Sequence, residues 1–382
     1  MRILFLAPQP FFEVRGTPLA VLAMVRALGE LGHDVDLLTF PQGDDVSVPG
    51  VQHRRSLRLP VGRVRPGASV AKLLLDVPFL AEAVWRMANG AYDAVHAVEE
   101  AAHLAAPFAG LLGLPLVVDV DSSIPDQLAH SAFPLRRPLR WLAEVMEDHA
   151  LAGSAAVITV CSSLTESVQA RAPGAHVFQI EDPPLVDLES TAEPEAVESL
   201  RASLGLSAAP VVLYSGNFEP YQGVEHLVAA AAQVPQAQFV FMGGERREID
   251  ALAARASGRC VFAGKRPTSE LPLFLGLADV LASPRCQGGN TPFKIYTYLA
   301  SGKPLVATRI ASHTQLLDDS LAVLVEPTGF GLAAGILQVL DRPREAAARA
   351  ARGQALIAAE YSPARFKAKV ARAYQALAGI RN

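Results

Sequence analysis

Residues 1–39 read MRILFLAPQPFFEVRGTPLAVLAMVRALGELGHDVDLLT. Ile3–Ala7 is a fully apolar run closed by Pro8, the pattern of a parallel strand covered on both faces. A loop from Gln9 to Gly16 follows. Thr17 and Pro18 then match the N-cap and first helical positions of a helix that runs to about Leu31, where Gly32 ends it. Val35–Thr39 is the next strand. Strand, helix and strand in this order make one βαβ unit, the building block of a parallel sheet.

Working outward, the same alternation continues. Further strands are expected at Ala94–Ala97, Leu116–Asp119 and Ala156–Val160, with helices between them. From Glu181 to Glu198 the chain is acid-rich, lacks Lys and Arg, and carries Pro183, Pro184 and Pro194, which is the composition of a linker. A second α/β series begins at Val211–Tyr214. It continues through strands at Gln238–Met242, Cys260–Ala263, Val280–Ala282, Leu305–Ala307 and Ala322–Val325. Its helices fall near Gly223–Gln233, Glu245–Ala256, Ser269–Leu277, Pro292–Ser301 and Phe330–Leu340, and Pro363–Leu377 is a final amphipathic helix. The fold class is therefore α/β, with two Rossmann-like, doubly wound parallel-sheet domains. The division is 1–182, a linker 183–198, 199–360, and a C-terminal helix 361–382. Two open sheets in tandem can face their carboxyl-end crevices across a cleft, where ligands bind.

Composition narrows the class of protein. Of 382 residues, 51% are hydrophobic and 19% charged, enough to bury large cores and too apolar for a disordered chain. The net charge of −4 argues against a nucleic-acid partner. Three cysteines give no disulfide framework and read as reduced thiols, consistent with a cytoplasmic location. Neither CxxC nor HExxH occurs, so no metal is expected. Ile3–Ala7 is too short for the apolar core of a signal peptide. Ala101–Val118 has no formal charge, but Pro107, Gly110, Gly113 and Pro115 divide it into a buried helix, a turn and a strand.

Several turns sit where chemistry is expected. Arg15-Gly16-Thr17-Pro18 joins the first strand to the first helix; Gly16 allows close backbone approach and the helix start offers N–H groups to an anion, although a plain capped turn would look the same. Gly288-Gly289-Asn290-Thr291-Pro292-Phe293-Lys294 is the most informative stretch. Two glycines expose backbone, Asn290 and Thr291 can cap, and Pro292 suits a helix start. Lys294 then stands in the first turn, where the helix dipole opposes a cation unless an anion is near. A phosphate or diphosphate would resolve that conflict; a solvated lysine is the alternative. Gly264, Lys265 and Arg266 follow a strand at its carboxyl end. His96 and Glu99, and Asp121 after the next strand, hold the same position in the first domain, where carboxylates can bind hydroxyls, act as acid or base, or simply cap helices. Arg54, Arg55, Arg58, Arg63, Arg65 and Lys72, with Arg136, Arg137, Arg140 and Trp141, read either as solvated loops or as a peripheral contact with anionic lipid.

Taken in order, these pieces resemble the GT-B glycosyltransferases, specifically the retaining family 4, or group 1, enzymes. The resemblance spans nearly the whole chain: RGTPLAVLAMVRALGELGHDVDLLT, AVHAVEEA, VLYSGNFEPYQGVEHLVAA, FVFMGG, CVFAGKRPTSELPLFLGLADVLASP, FKIYTYLASGKPLVAT and YSPARFKAKVARAY follow in the family's sequence and spacing. It implies sugar transfer from a nucleotide-diphosphate sugar, UDP- or GDP-linked, to a glycan or lipid-linked acceptor, with retention and without metal. It also implies an acceptor-side first domain, a donor-binding second domain, and a last helix that returns to the first domain. The family's phosphate loop reads Gly-Arg-x-x-x-x-Lys-Gly; here Asn217 and Gln222 replace both cations. Its two glutamates would fall at Gly289 and Thr297, and its histidine at Val98, beside Glu99.

The resemblance implies a rebuilt donor site. Gly16, Asn290, Thr291 and Lys294 would hold the diphosphate, with Thr17, Gly288 and Gly289 in the same turns. Arg15, Lys265 and Arg266 would add charge. Thr297 and the Gly264–Arg266 loop would hold the nucleoside, and Asn217 and Gln222 would line the loop. His96, Glu99 and Asp121 would line the acceptor side. The competing expectations are a non-catalytic relative that binds a nucleotide sugar or scaffolds a glycan-assembly complex, and a nucleotide-sugar epimerase.

Overall fold

The computed structural model describes residues 1–13, 15–62, 69–122, 136–185, 192–256 and 259–380. The chain forms two compact units, Met1–Asp182 together with Phe366–Asn382, and Pro183–Arg365.

The first unit is a seven-stranded parallel sheet. Its strands are β1 (Arg2–Ala7), β2 (Asp34–Thr39), β3 (Val51–Arg55), β4 (Ala94–Val98), β5 (Leu116–Val120), β6 (Ala156–Thr159) and β7 (Val177–Gln179), in the order β3-β2-β1-β4-β5-β6-β7. Helix α1 (Gly16–Glu30) and the last helix, α14 (Pro363–Ile380), cover one face. There Val25, Leu28, Val370 and Leu377 pack on Ile3, Phe5 and Val35. Helices α2 (Val70–Asn89), α3 (Glu100–Leu111), α4 (Arg136–Ala152) and α5 (Ser162–Arg171) cover the other, with Leu75, Phe79 and Ala105 against Leu4, Leu6 and Val118. Covering both faces explains why the central strands are continuous apolar runs. Strand order reverses between β1 and β4, so their carboxyl ends form the crevice, which brings in the Arg15–Thr17 turn and Glu99.

The second unit has six parallel strands: β8 (Val211–Ser215), β9 (Gln238–Met242), β10 (Cys260–Gly264), β11 (Val280–Ser283), β12 (Leu305–Thr308) and β13 (Val323–Val325), ordered β10-β9-β8-β11-β12-β13. Its helices are α6 (Pro194–Ser203), α7 (Val224–Ala231), α8 (Arg246–Ala253), α9 (Leu271–Leu277), α10 (Phe293–Ala300), α11 (Ala311–Thr314), α12 (Gly329–Asp341) and α13 (Pro343–Glu360). Helices α9 and α10 pack on one face, α7 and α12 on the other. The switch point lies between β8 and β11. The segments leaving those strands are Gly216–Gly223 and Pro284–Pro292.

Four expectations change. Part of the stretch read as linker is helix α6, whose Val197 and Leu200 pack on the second core. Helix α13, absent from the sequence reading, follows α12 in unit two. Arg54 and Arg55 lie on edge strand β3, where Arg55 pairs with Asp45 at 2.9 Å and donates to the carbonyl of Gly43. Lys72 is a half-buried partner of Glu100, at 2.5 Å, rather than a solvated cation. Arg63 and Arg65 lie outside the described residues. No described helix is long and apolar enough to cross a membrane.

Candidate functional site

The switch point of the second unit gathers polar groups from three elements. Tyr214, the last buried aromatic of β8, donates its hydroxyl to the carbonyl of Asn217 at 2.6 Å. The chain between them turns at Gly216, where φ is +141°, and a Cβ there would stand 2.8 Å from Lys294 Nζ. Only glycine fits that backbone and leaves the lysine its course. Lys294 Nζ donates to Gln222 Oε1 at 3.1 Å and lies 4.0 Å above the Tyr214 ring. The residue as a whole is half-buried. Burial of the ammonium, and then the Arg285 charge, hold its pKa well below the ordinary lysine value. No acidic neighbour opposes this. An ammonium whose neighbours are an amide, a ring and a second cation is costly, and an anion beside it would remove the cost.

Helix α10 begins beside this lysine. Pro292 stands at its N-cap; no side chain caps it and no acid occupies its first turn. Its first N–H groups and positive dipole end are thus left for an anion. The segment before it is folded around Arg285. That guanidinium donates Nε to Gln287 O at 2.7 Å, Nη2 to Asn290 Oδ1 at 3.0 Å, and lies 5.4 Å from the Tyr221 ring centre. Gly288, at φ +126°, lets it pass: a Cβ would sit 2.0 Å from Nη2. Arg285 went unnoticed in the sequence, although it follows β11 at its carboxyl end just as Lys265 follows β10. His313 lies beneath, bonded to Ser283 Oγ and Thr308 O, with burial pushing its pKa down to about 4.

Other expected donor residues are placed differently. Thr297 is buried, and its Oγ1 accepts from the N–H of Leu185 at 3.0 Å, so it ties α10 to the entry of the unit instead of facing a ribose. Lys265 pairs with Glu245 at 2.6 Å and Arg266 with Glu270 at 3.7 Å, at the end of edge strand β10 rather than at the switch point. Gly264 stays open, with nothing within 4 Å of a Cβ. Asn217 Oδ1 accepts from Glu219 N–H at 3.3 Å and shapes the loop. Asn290 is held by Arg285, and Thr291 is buried behind it. Gly289 is open, its carbonyl bonded by Gln315 at 2.6 Å.

In the first unit, Arg15 precedes α1 and pairs with Glu13 at 3.4 Å; Gly16 has nothing within 4 Å of a Cβ, and Thr17 follows in the first turn. Glu99 has φ +49°, a conformation that L-residues rarely adopt. Its Oε1 accepts from Ser122 Oγ at 2.7 Å. The next residue, Glu100, is bound by Lys72, whose pKa burial would lower but the Glu100 charge raises.

His96 does not line the crevice. It is fully buried, stacked on Phe5 at 4.1 Å, with Nδ1 2.7 Å from the Tyr374 hydroxyl and Nε2 2.9 Å from Asp119 Oδ2. Both ring nitrogens are engaged, and the residue locks α14 to β4. Asp121 is also buried; desolvation, then Asp119, Glu99 and Asp182, push its pKa well up. Asp182 shares this environment, and burial with the Asp119 and Glu181 charges raises it to about 8.

Two family models match the chain: "Glycosyl transferase 4-like domain" over residues 15–181 and "Glycosyl transferases group 1" over residues 209–342. A GDP-mannose-dependent monoacylated alpha-(1-6)-phosphatidylinositol monomannoside mannosyltransferase of Corynebacterium glutamicum is 28% identical over 222 residues, 54% of this chain and 58% of that relative. That match spans less than two thirds of the relative's own length. Among solved structures, sucrose-phosphate synthase from Thermosynechococcus elongatus superposes with a TM-score of 0.81 at 22% identity, covering 100% of both chains. An Anabaena protein solved with UDP-glucose gives a TM-score of 0.75 at 18% identity, covering 98% of this chain and 99% of that one. With both domain models in chain order and both parallel-sheet units matching these structures, the chain belongs to the group 1 glycosyltransferases and has the GT-B fold.

Proposed function

We propose that the protein transfers a sugar from a UDP- or GDP-linked donor to a glycan or lipid-linked acceptor, with retention of configuration. The observation that carries this reading is the Lys294 ammonium, held over Tyr214 at the Gly216–Gly223 loop with no acid opposing it, next to the uncapped start of α10. A diphosphate fits that arrangement in charge and in hydrogen-bond donors. As the bond between the anomeric carbon and the β-phosphate oxygen breaks, negative charge grows on the diphosphate. Lys294 and the α10 amides are aimed at such charge before the reaction starts. The acceptor oxygen bonds the anomeric carbon on the face the diphosphate leaves, and its hydroxyl proton passes to the departing phosphate oxygen. This route needs no metal ion. In the first unit, Glu99 would bind a hydroxyl of the acceptor.

The nucleotide follows the relatives: one uses GDP-mannose and one neighbour is bound to UDP-glucose. A lipid-linked acceptor, and a place on the cytoplasmic face of a membrane, is supported by exposed apolar side chains. Val70, Leu73, Leu74 and Val77 form a stripe along α2, and both tryptophans of the chain, Trp85 and Trp141, are more than half exposed.

Calorimetric titration with UDP, GDP and ADP, followed by turnover of the sugars carried by whichever binds, tests the proposal. Binding without transfer would favour a non-catalytic relative. Interconversion of the donor without an acceptor would favour an epimerase. Absence of binding to all three nucleotides would overturn the reading. The lipid part is tested separately: anionic vesicles should sediment the protein, and the Trp85→Ser/Trp141→Ser double variant should sediment less.

A further inference from the structure

The Lys294 ammonium is held from two sides. One N–H is taken by Gln222 Oε1 at 3.1 Å, and the Tyr214 ring lies beneath at 4.0 Å. The remaining donor direction is left for a ligand. Gln222 is itself buried, in the turn Pro220–Gln222 that leads into α7. The two side chains reach toward each other from the turn before α7 and from the first turn of α10, and meet end to end.

The choice of an amide is informative. A glutamate at 222 would have the same shape and would bond the ammonium more strongly, but would cancel its charge. Glutamine holds the ammonium in place and leaves its charge for an incoming anion. Arg285 adds positive potential from behind, and its own guanidinium is committed to the Gln287–Asn290 backbone and the Asn290 side chain.

We infer that Gln222 is a positioning residue for the Lys294 ammonium, and that the site requires one un-neutralised cation at the Gln222–Lys294 contact, whichever of the two positions carries it. The inference rests on the donor-site reading above. Since amide and ammonium meet head to head, exchanging them keeps the hydrogen bond and moves the charge by only a few ångström, about the length of the contact. Neutralising the charge in place, by contrast, leaves the shape of the site unchanged and removes the attraction.

Three variants test this by titration with UDP and GDP, each with its thermal midpoint recorded. Lys294→Gln should lose affinity by about tenfold or more, the worth of a charge-assisted contact. The exchange Gln222→Lys/Lys294→Gln should recover affinity to within about threefold of the unmodified protein. The near-isosteric Gln222→Glu should fold and lose affinity by about as much as Lys294→Gln. This third variant decides the matter if the exchanged protein is unstable. Unchanged affinity in Gln222→Glu, or a folded exchange variant as weak as Lys294→Gln, would overturn the inference while leaving the donor site standing. Failure of the unmodified protein to bind either nucleotide would instead overturn the donor-site reading, and the inference with it.

Discussion

His96 and Tyr374 are joined by a buried hydrogen bond of 2.7 Å across 278 residues of sequence, which fastens the last helix to the central strand β4 of the first unit. Asp119 holds the other ring nitrogen at 2.9 Å, so the imidazole completes a buried chain from α14 to β5. A histidine with both nitrogens engaged and no exposed surface acts on the fold rather than on substrate.

Removing it should therefore cost stability. His96→Ala leaves Tyr374 Oη and Asp119 Oδ2 without this partner and opens a cavity beside Phe5. Such changes typically cost about 3 kcal/mol in total. Urea unfolding compared between the variant and the unmodified protein measures it; a loss below about 1 kcal/mol would show that the chain of bonds contributes little.

Glu99 makes the opposite prediction. Its φ of +49° is a strained backbone for a glutamate, a strain of about 1–3 kcal/mol that glycine would relieve. Glu99→Gly should hold or raise the thermal midpoint while lowering transfer activity, whereas Glu99→Gln should lower activity without the gain in stability. If Glu99→Gly kept full activity, the side chain would have no part in the reaction.

Much of the fold was legible in sequence because its central strands are buried on both faces and read as apolar runs. The edge was not. Strand β3, VQHRR, is half exposed and carries two arginines, so it looked like a basic loop. Helix α13 is rich in alanine and arginine, and buries only Ala346, Ala350, Gly353 and Ile357. In the candidate site, Lys294 could be noticed because a cation at a helix start contradicts the dipole. Thr297 was misread because spacing fixes position along a helix but not the partner, and Leu185 lies 112 residues away. Arg285 was missed because its hydrogen bonds to Gln287 and Asn290 arise only once its own loop is folded, a contact with no sequence signature.

Asp182 gives the unit a pH dependence. Burial and the charges of Asp119 and Glu181 raise its carboxyl from the usual range to about 8. The folded chain then keeps a proton that the unfolded chain releases, so stability is fullest below pH about 4 and falls as pH rises toward 8. Asp182→Asn removes this loss. Its thermal midpoint should exceed that of the unmodified protein at pH 8 by several degrees, at about 2–4 °C per kcal/mol for a unit of this size, and match it at pH 4. Equal midpoints at both pH values would contradict the assignment.

The central claim is that Lys294 is held ready for a diphosphate, and Lys294→Met titrated with the nucleotide that binds tests it most directly. The variant keeps an unbranched stem, one atom shorter, and removes a buried charge that no acid balances. Affinity should fall by about tenfold or more, while the thermal midpoint without nucleotide should not fall. Unchanged affinity in the folded variant would contradict that claim.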